Sequence, residues 1–231
     1  ELAAVRGWLA QVWYAEACYA NHLGATDATL VPNKFQPPAS APSAASLDLD
    51  LPAWTHSLPW MLHSGTLAAD WGLWAAVELF AQLNRYRPIG WVVAGYAPEP
   101  AVLTALVQRV QATGYAARFH LVGGAQAVSH AQLMALIRRC SFGVALYAQR
   151  PNLMQKIPTR FYEYMAHKKP LVIPPNPHWE ALNRQTRFAQ VLPPEPSGPQ
   201  QLLAALEDGF PDCYTHPLPQ ECYRWDPAPM L

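Results

Sequence analysis

Arg160 and Glu163 stand three residues apart in the stretch IPTRFYEYMAHKKPLVIPP, Ile157 to Pro175. At about 100° per residue, Thr159 and Glu163 share one side of a helix with Arg160 beside them, and Phe161, Tyr164 and Met165 form the apolar stripe on the opposite arc. Pro158 suits the first helical position, where its missing N–H costs nothing. A helix N-terminus carries free N–H groups and partial positive charge, so it favours phosphate. Arg160 adds a forked donor for a phosphate. Glu163, one turn in, can accept hydrogen bonds from a vicinal diol such as a ribose. This arrangement of charge suits a sugar nucleotide. The same two residues also read as an exposed i, i+3 ion pair, worth a few tenths of a kcal/mol.

The elements that must position these groups are legible around them. From Pro59 onward the apolar runs WMLHS, GWVVAGY, RFHLVGG, FGVALY and PLVIPP recur, each followed by a helical pattern, with a shorter AQVL last. Leu73, Ala76, Val77 and Phe80 make one helical stripe, Leu103, Leu106, Val107 and Val110 a second, and Leu133, Leu136, Ile137 and Cys140 a third. Ser129 and Gln132 form a capping box before the third, and Gly114 sits where a helix C-terminus wants one. The strands are continuous rather than alternating, as strands covered on both faces are. Strand–helix alternation with such strands predicts an α/β fold: a Rossmann-like parallel sheet with helices on both faces, from residue 59 to the C-terminus. Ligands of such sheets bind beyond the carboxyl ends of the strands, where the helix of Arg160 and Glu163 begins. Before it, residues 4–22 read as a helix and ATLVP as a short strand. The Pro-, Ser- and Ala-rich stretch after them reads as a linker, so 1–58 is set apart from 59–231.

Composition narrows the function classes. Hydrophobic residues are 51% of the 231 and charged residues 14%, with zero formal net charge. No basic excess argues for nucleic acid. Cys18, Cys140, Cys213 and Cys222 form no C-x-x-C pair and no Cys/His zinc spacing. Buried thiols are the expected state of the first two. Cys213 and Cys222 could pair, but a reducing cytoplasm suits the composition better. The eight histidines show no metal spacing: His63 and His120 read as satisfied core residues and His130 as solvated. No G-x-G-x-x-G follows a strand, which argues against a dinucleotide dehydrogenase, and no G-x-S-x-G, H-E-x-x-H or Walker sequence is present. No apolar run is long enough to span a bilayer, and WAAVELFAQL is at most a weak membrane-peripheral edge. The chain opens at Glu1 without a methionine or signal peptide, which marks it as a candidate fragment.

Against this background, IPTRFYEYMAHKKPLVI resembles the P-x-K-x-x-E-Y-x-A-x-G-K-P-x-V segment of family 4 glycosyltransferases, which have the GT-B fold. LVPNK resembles the segment near that fold's interdomain link. LPWMLHSGTLAADWGL resembles the strand, loop and helix that open its C-terminal nucleotide-sugar-binding domain. FHLVGGAQAVSHAQLMALIRRCSFGVALYA and the Trp-containing tail CYRWDPAPML follow in the same order. The match covers most of Leu58 to Leu231. The resemblance implies that Glu163 binds the donor ribose, as the second Glu of an E-x7-E motif. Gln155 holds the first position, Arg160 replaces the family's Lys, and Lys168 replaces the usual Gly before K-P. It also implies that Ser64, Gly65 and Thr66 form the first ligand loop. Many relatives place an Arg and a Lys there for the diphosphate, and Trp71 stands where the Lys would be. The charge must then come from Arg160, Lys156, Arg150 or the helix N-terminus.

Two functions remain open at this point. One is the donor domain of a retaining glycosyltransferase, a hexosyltransferase needing no metal or other cofactor, with Thr159, Arg160, Glu163, Gln155 and Ser64 to Thr66 at the nucleotide-sugar donor. Its catalytic residues would come from a missing N-terminal domain, of which residues 1–31 read as a remnant prone to associate with a partner chain. The other is a non-catalytic partner or regulatory subunit that keeps the fold with a weakened nucleotide site.

Overall fold

The computed structural model describes residues 13–16, 19, 29–36, 49–193 and 197–225. Strand β1 (Trp13–Tyr14) pairs in parallel with β2 (Thr29–Leu30). The main sheet contains β3 (Trp60–Thr66), β4 (Gly90–Tyr96), β5 (Phe119–Gly124), β6 (Phe142–Val144), β7 (Leu171–Ile173) and β8 (Ala189–Val191). Between them run helices α1 (Leu73–Asn84), α2 (Pro100–Ala112), α3 (His130–Arg139), the short α4 (Pro151–Met154), α5 (Thr159–Ala166) and α6 (Pro177–Thr186). Helix α7 (Gly198–Glu207) follows β8. The six strands are all parallel, in the order β5-β4-β3-β6-β7-β8. The chain first moves outward from β3 through β4 to β5, then returns to lay β6 on the other side of β3. Strand direction of travel thus reverses between β3 and β6, and such a switch point leaves a crevice at the carboxyl ends.

The continuous apolar strands feed two cores. Leu62, Val92, Ala94, Leu171 and Ile173 face α3, α5 and α6. Met61, Trp91, Val93, Phe142, Val144 and Val172 face α1, α2 and α7. Burial on both faces is the reason that the strands carry no polar alternation. The first and third helical stripes are seated as their spacing requires, and the Ser129–Gln132 capping box is formed. Gly114 follows α2 in the left-handed conformation, φ 79°. On the second stripe Leu106 and Val110 are buried, whereas Val107 is exposed.

The structure departs from the sequence reading at the N-terminal segment. Of the helix expected over 4–22, Trp13 and Tyr14 form a strand instead, because pairing with Thr29–Leu30 outweighs local helical preference. The rest of that helix, apart from residues 15, 16 and 19, lies outside the described residues, as does Cys18. Within the stretch read as a linker, Phe35 bridges to Arg224, and Ala53–His56 form a short 3₁₀ helix. Cys140, Cys213 and Cys222 are free thiols.

Helix α5 is held in place from three sides. Tyr164 lies on Gly143 of β6, where an added Cβ would stand 2.1 Å from its ring, and its hydroxyl donates to the Leu62 carbonyl at 3.3 Å. The Tyr214 hydroxyl donates to the carbonyls of Tyr164 and Lys169 at 3.2 and 3.0 Å. Pro158 is the N-cap rather than the first helical residue, so the helix begins at Thr159. At the far end Lys168 adopts φ 49°, the left-handed conformation that the resemblance assigns to a glycine.

Candidate functional site

A cavity of about 450 Å³ opens at the switch point. The end of β3 supplies Ser64, Gly65 and Thr66, and α5 supplies Thr159, Arg160 and Glu163. All the site residues read from the sequence therefore meet in one cavity, except Gln155. That side chain is exposed and lines a neighbouring cavity of about 870 Å³ with Met154, Tyr162 and Asn176. It lies in the loop before α5, which is pinned toward that side. Asn176 Nδ2 donates to the Met154 carbonyl at 3.2 Å, and Trp179 Nε1 donates to the Lys156 carbonyl at 2.7 Å.

Arg160 lies on the helix arc opposite the apolar stripe, yet it is only 6% exposed. Its guanidinium lies across the end of β3, where Nη2 stands 2.7 Å from where a Cβ on Gly65 would project. Gly65 has φ 98°, so both the backbone and the close approach require glycine. The guanidinium carbon stands 5.2 Å from the centre of the Tyr147 ring, within cation–π range. Nη1 is buried without a hydrogen-bond partner. Leaving a charged donor unpaired costs more than a neutral one, and an acceptor that reached this atom would relieve that cost.

Glu163 lines the cavity one helical turn on, its side chain 15% exposed. Burial pushes its carboxyl above the usual range, and His130 and then Arg160 pull it back. His130 Nε2 stands 3.5 Å from Glu163 Oε1, and its ring lies 6.3 Å from Phe35. The expectation that His130 is merely solvated is thus corrected: its side chain is half exposed, but it is also the carboxylate's partner. His63 needs a second correction. It is fully buried, as expected for a core residue, but neither ring nitrogen has a hydrogen-bond partner. Burial, and then repulsion from Arg160, lower its pKa far below the usual imidazole value, so the ring is neutral.

The remaining wall includes Trp71 and Lys156, which the resemblance singles out, and Tyr147 and Glu16, which no motif flags. Trp71 and Tyr147 stand with ring centres 5.8 Å apart. Tyr147 ends the apolar run after β6, so the carboxyl-end rule could have found it. Glu16 carries no such signal, because it falls within the segment read as a helix. Its carboxylate accepts from Ile157 N at 3.0 Å, and burial raises its pKa. Lys156 lies 5.1 Å from the Tyr19 ring. Arg150, a candidate for the missing charge, is instead paired with Asp70 at 2.6 Å. Among the described residues no cluster of three or more His, Cys, Asp or Glu is placed to hold a metal. None of their helices is long and apolar enough to cross a membrane.

No protein-family profile and no curated protein sequence matches the chain. Solved structures do match. HepE of Anabaena, in complex with UDP and glucose, superposes with a TM-score of 0.62 at 16% identity, over 90% of this chain and 55% of that one. A glycosyltransferase from Rickettsia africae gives 0.61 at 11%, over 86% and 53%. A glycosyltransferase of avilamycin A biosynthesis gives 0.55 at 17%, over 91% and 56%. The chain spans about half the length of these structures. Its parallel α/β architecture is therefore the Rossmann-like fold found in these glycosyltransferases.

Proposed function

We propose that the chain is the donor-binding domain of a family 4-type glycosyltransferase that takes a nucleotide sugar. The observation that carries this reading is the Arg160 guanidinium, buried, lying over Gly65 with Nη1 unpartnered, on a residue that lines the switch-point cavity. A phosphate oxygen completes it. Thr159, at the first turn of α5, offers the free N–H end of the helix to the same anion. Glu163 accepts from the ribose diol, and Ser64 to Thr66 form the floor. In transfer, the bond between the sugar's anomeric carbon and the diphosphate oxygen breaks as an acceptor hydroxyl oxygen bonds to that carbon, and the hydroxyl's proton passes to the departing diphosphate. Arg160 and the helix end stabilise the charge that collects on the departing diphosphate. The side chains described here bind and orient the donor, and no catalytic base is assigned among them.

Calorimetric titration of the chain with UDP, GDP, ADP and CDP tests the reading. Micromolar binding of at least one supports it, and no binding across the panel refutes it. The second reading, a partner subunit with a weakened site, draws on one observation. The cavity sets Lys156 and Arg160 against Glu16 and Glu163, leaving no excess positive charge for a diphosphate. Absence of binding across the same panel is the outcome this reading expects.

A further inference from the structure

Trp71 is 37% exposed and lines the cavity, where Tyr147 is buried and Tyr19 half-buried. Its position is rigidly set. Gly72 follows it at φ 82°, where a Cβ would meet the Leu146 carbonyl at 2.2 Å, so the turn lies directly on the chain leaving β6. The Ala148 N–H donates to the Asp70 carbonyl at 3.2 Å, and the Asp70 side chain pairs with Arg150. Behind the indole stands Tyr147, 4% exposed, itself held edge-on by Trp179 at 5.8 Å. An exposed indole on so firm a backing presents a flat apolar surface with little ordering cost on binding.

The order of groups along the cavity says what that surface meets. Glu163 is paired with His130, the first residue of α3. Arg160 comes next, and its guanidinium rests on Tyr147, beyond which stands Trp71. A nucleotide sugar runs ribose, diphosphate, sugar. With the ribose on Glu163 and the phosphates on Arg160, the next group along is the sugar. The same cavity is lined by Gly65 and Thr66, small residues that leave room for a ring with an apolar C–H face and a hydroxylated edge.

We infer that Trp71 is the platform on which the hexopyranosyl group of the donor stacks, and a determinant of which donor is held. The inference rests on the donor-site reading above. Its test compares each free nucleotide with its sugar ester: UDP with UDP-glucose, GDP with GDP-mannose, and ADP with ADP-glucose. Each is titrated calorimetrically into the unmodified chain, Trp71→Ala and Trp71→Phe. The expected result is that Trp71→Ala weakens the sugar ester about 5- to 30-fold, the range of an aromatic contact, and leaves the free nucleotide unchanged. Trp71→Phe restores most of the loss. Equal weakening of nucleotide and ester would place the base or phosphates on the indole and overturn the inference, as would no effect on either. In both cases the donor site itself would stand. A chain that binds no nucleotide and no ester overturns the donor-site reading, and the platform with it.

Discussion

Arg160→Met should raise the stability of the free chain while it weakens nucleotide binding. Methionine follows the arginine stem through the same volume and adapts to irregular space. The substitution forfeits the contact with Tyr147, about 2 kcal/mol for a desolvated cation. It also removes the orphaned donor Nη1, whose burial, because it is charged, costs about 3 kcal/mol or more. The balance favours the variant by about 1 kcal/mol, or about 2–4 °C in Tm for a chain of this size. In binding the sign reverses. A charge-assisted hydrogen bond to phosphate is worth about 1.5–3 kcal/mol, so affinity for the best-bound nucleoside diphosphate should fall roughly 10- to 150-fold. Arg160→Ala should lose the same affinity but also lose stability, because the stem's packing goes with the charge. Differential scanning calorimetry and isothermal titration on the three proteins measure both quantities. A lower Tm for Arg160→Met with unchanged affinity would make Arg160 a structural residue and defeat the reasoning.

Glu163→Ala should lose about 1.5–3 kcal/mol of nucleotide affinity and Glu163→Gln less, since the amide keeps one acceptor oxygen. Because burial raises the Glu163 carboxyl, its share of the affinity should start to fade at a higher pH than an ordinary glutamate's would as pH is lowered. Titrations over a pH series should show that fade in the unmodified chain and a flatter profile in Glu163→Gln. The His63 pKa is depressed below 6.5, so below that pH the unfolded chain takes up a proton that the folded chain refuses. Stability should therefore fall by up to about 1.4 kcal/mol per pH unit as pH drops from 6.5 toward the folded-state value. Denaturant unfolding at pH 7.5 and 5.5 checks this, and His63→Leu should remove that part of the slope. Lys168→Gly relieves a left-handed backbone and should stabilise by about 0.5–1 kcal/mol. A lower unfolding midpoint for this variant would mean that the side chain supplies more than its backbone costs.

Residue patterns determine much of this protein by themselves. Apolar runs and helical stripes mark the six strands and most of the helices, because burial on both faces removes polar positions from a strand and a core-facing helix repeats every 3.6 residues. The placing of Thr159, Arg160 and Glu163 together on one arc is likewise local, since a single helix turns them to the same side. The tertiary structure alone decides what those residues meet. Laying β6 beside β3 brings Arg160 of α5 over Gly65 and Tyr147 against its guanidinium, and those neighbours bury Arg160, which the arc alone would leave at the surface. The same packing gives Glu163 a partner in His130 and leaves His63 without one. It also turns Gln155 into the adjacent cavity. Trp13 and Tyr14 show the limit of local reading most plainly, since a pairing with Thr29 and Leu30, later in the chain, overrides the helical pattern of their sequence. Periodicity records which face of an element is covered; it holds no record of which element does the covering, and the chemistry of this cavity lies in that second fact.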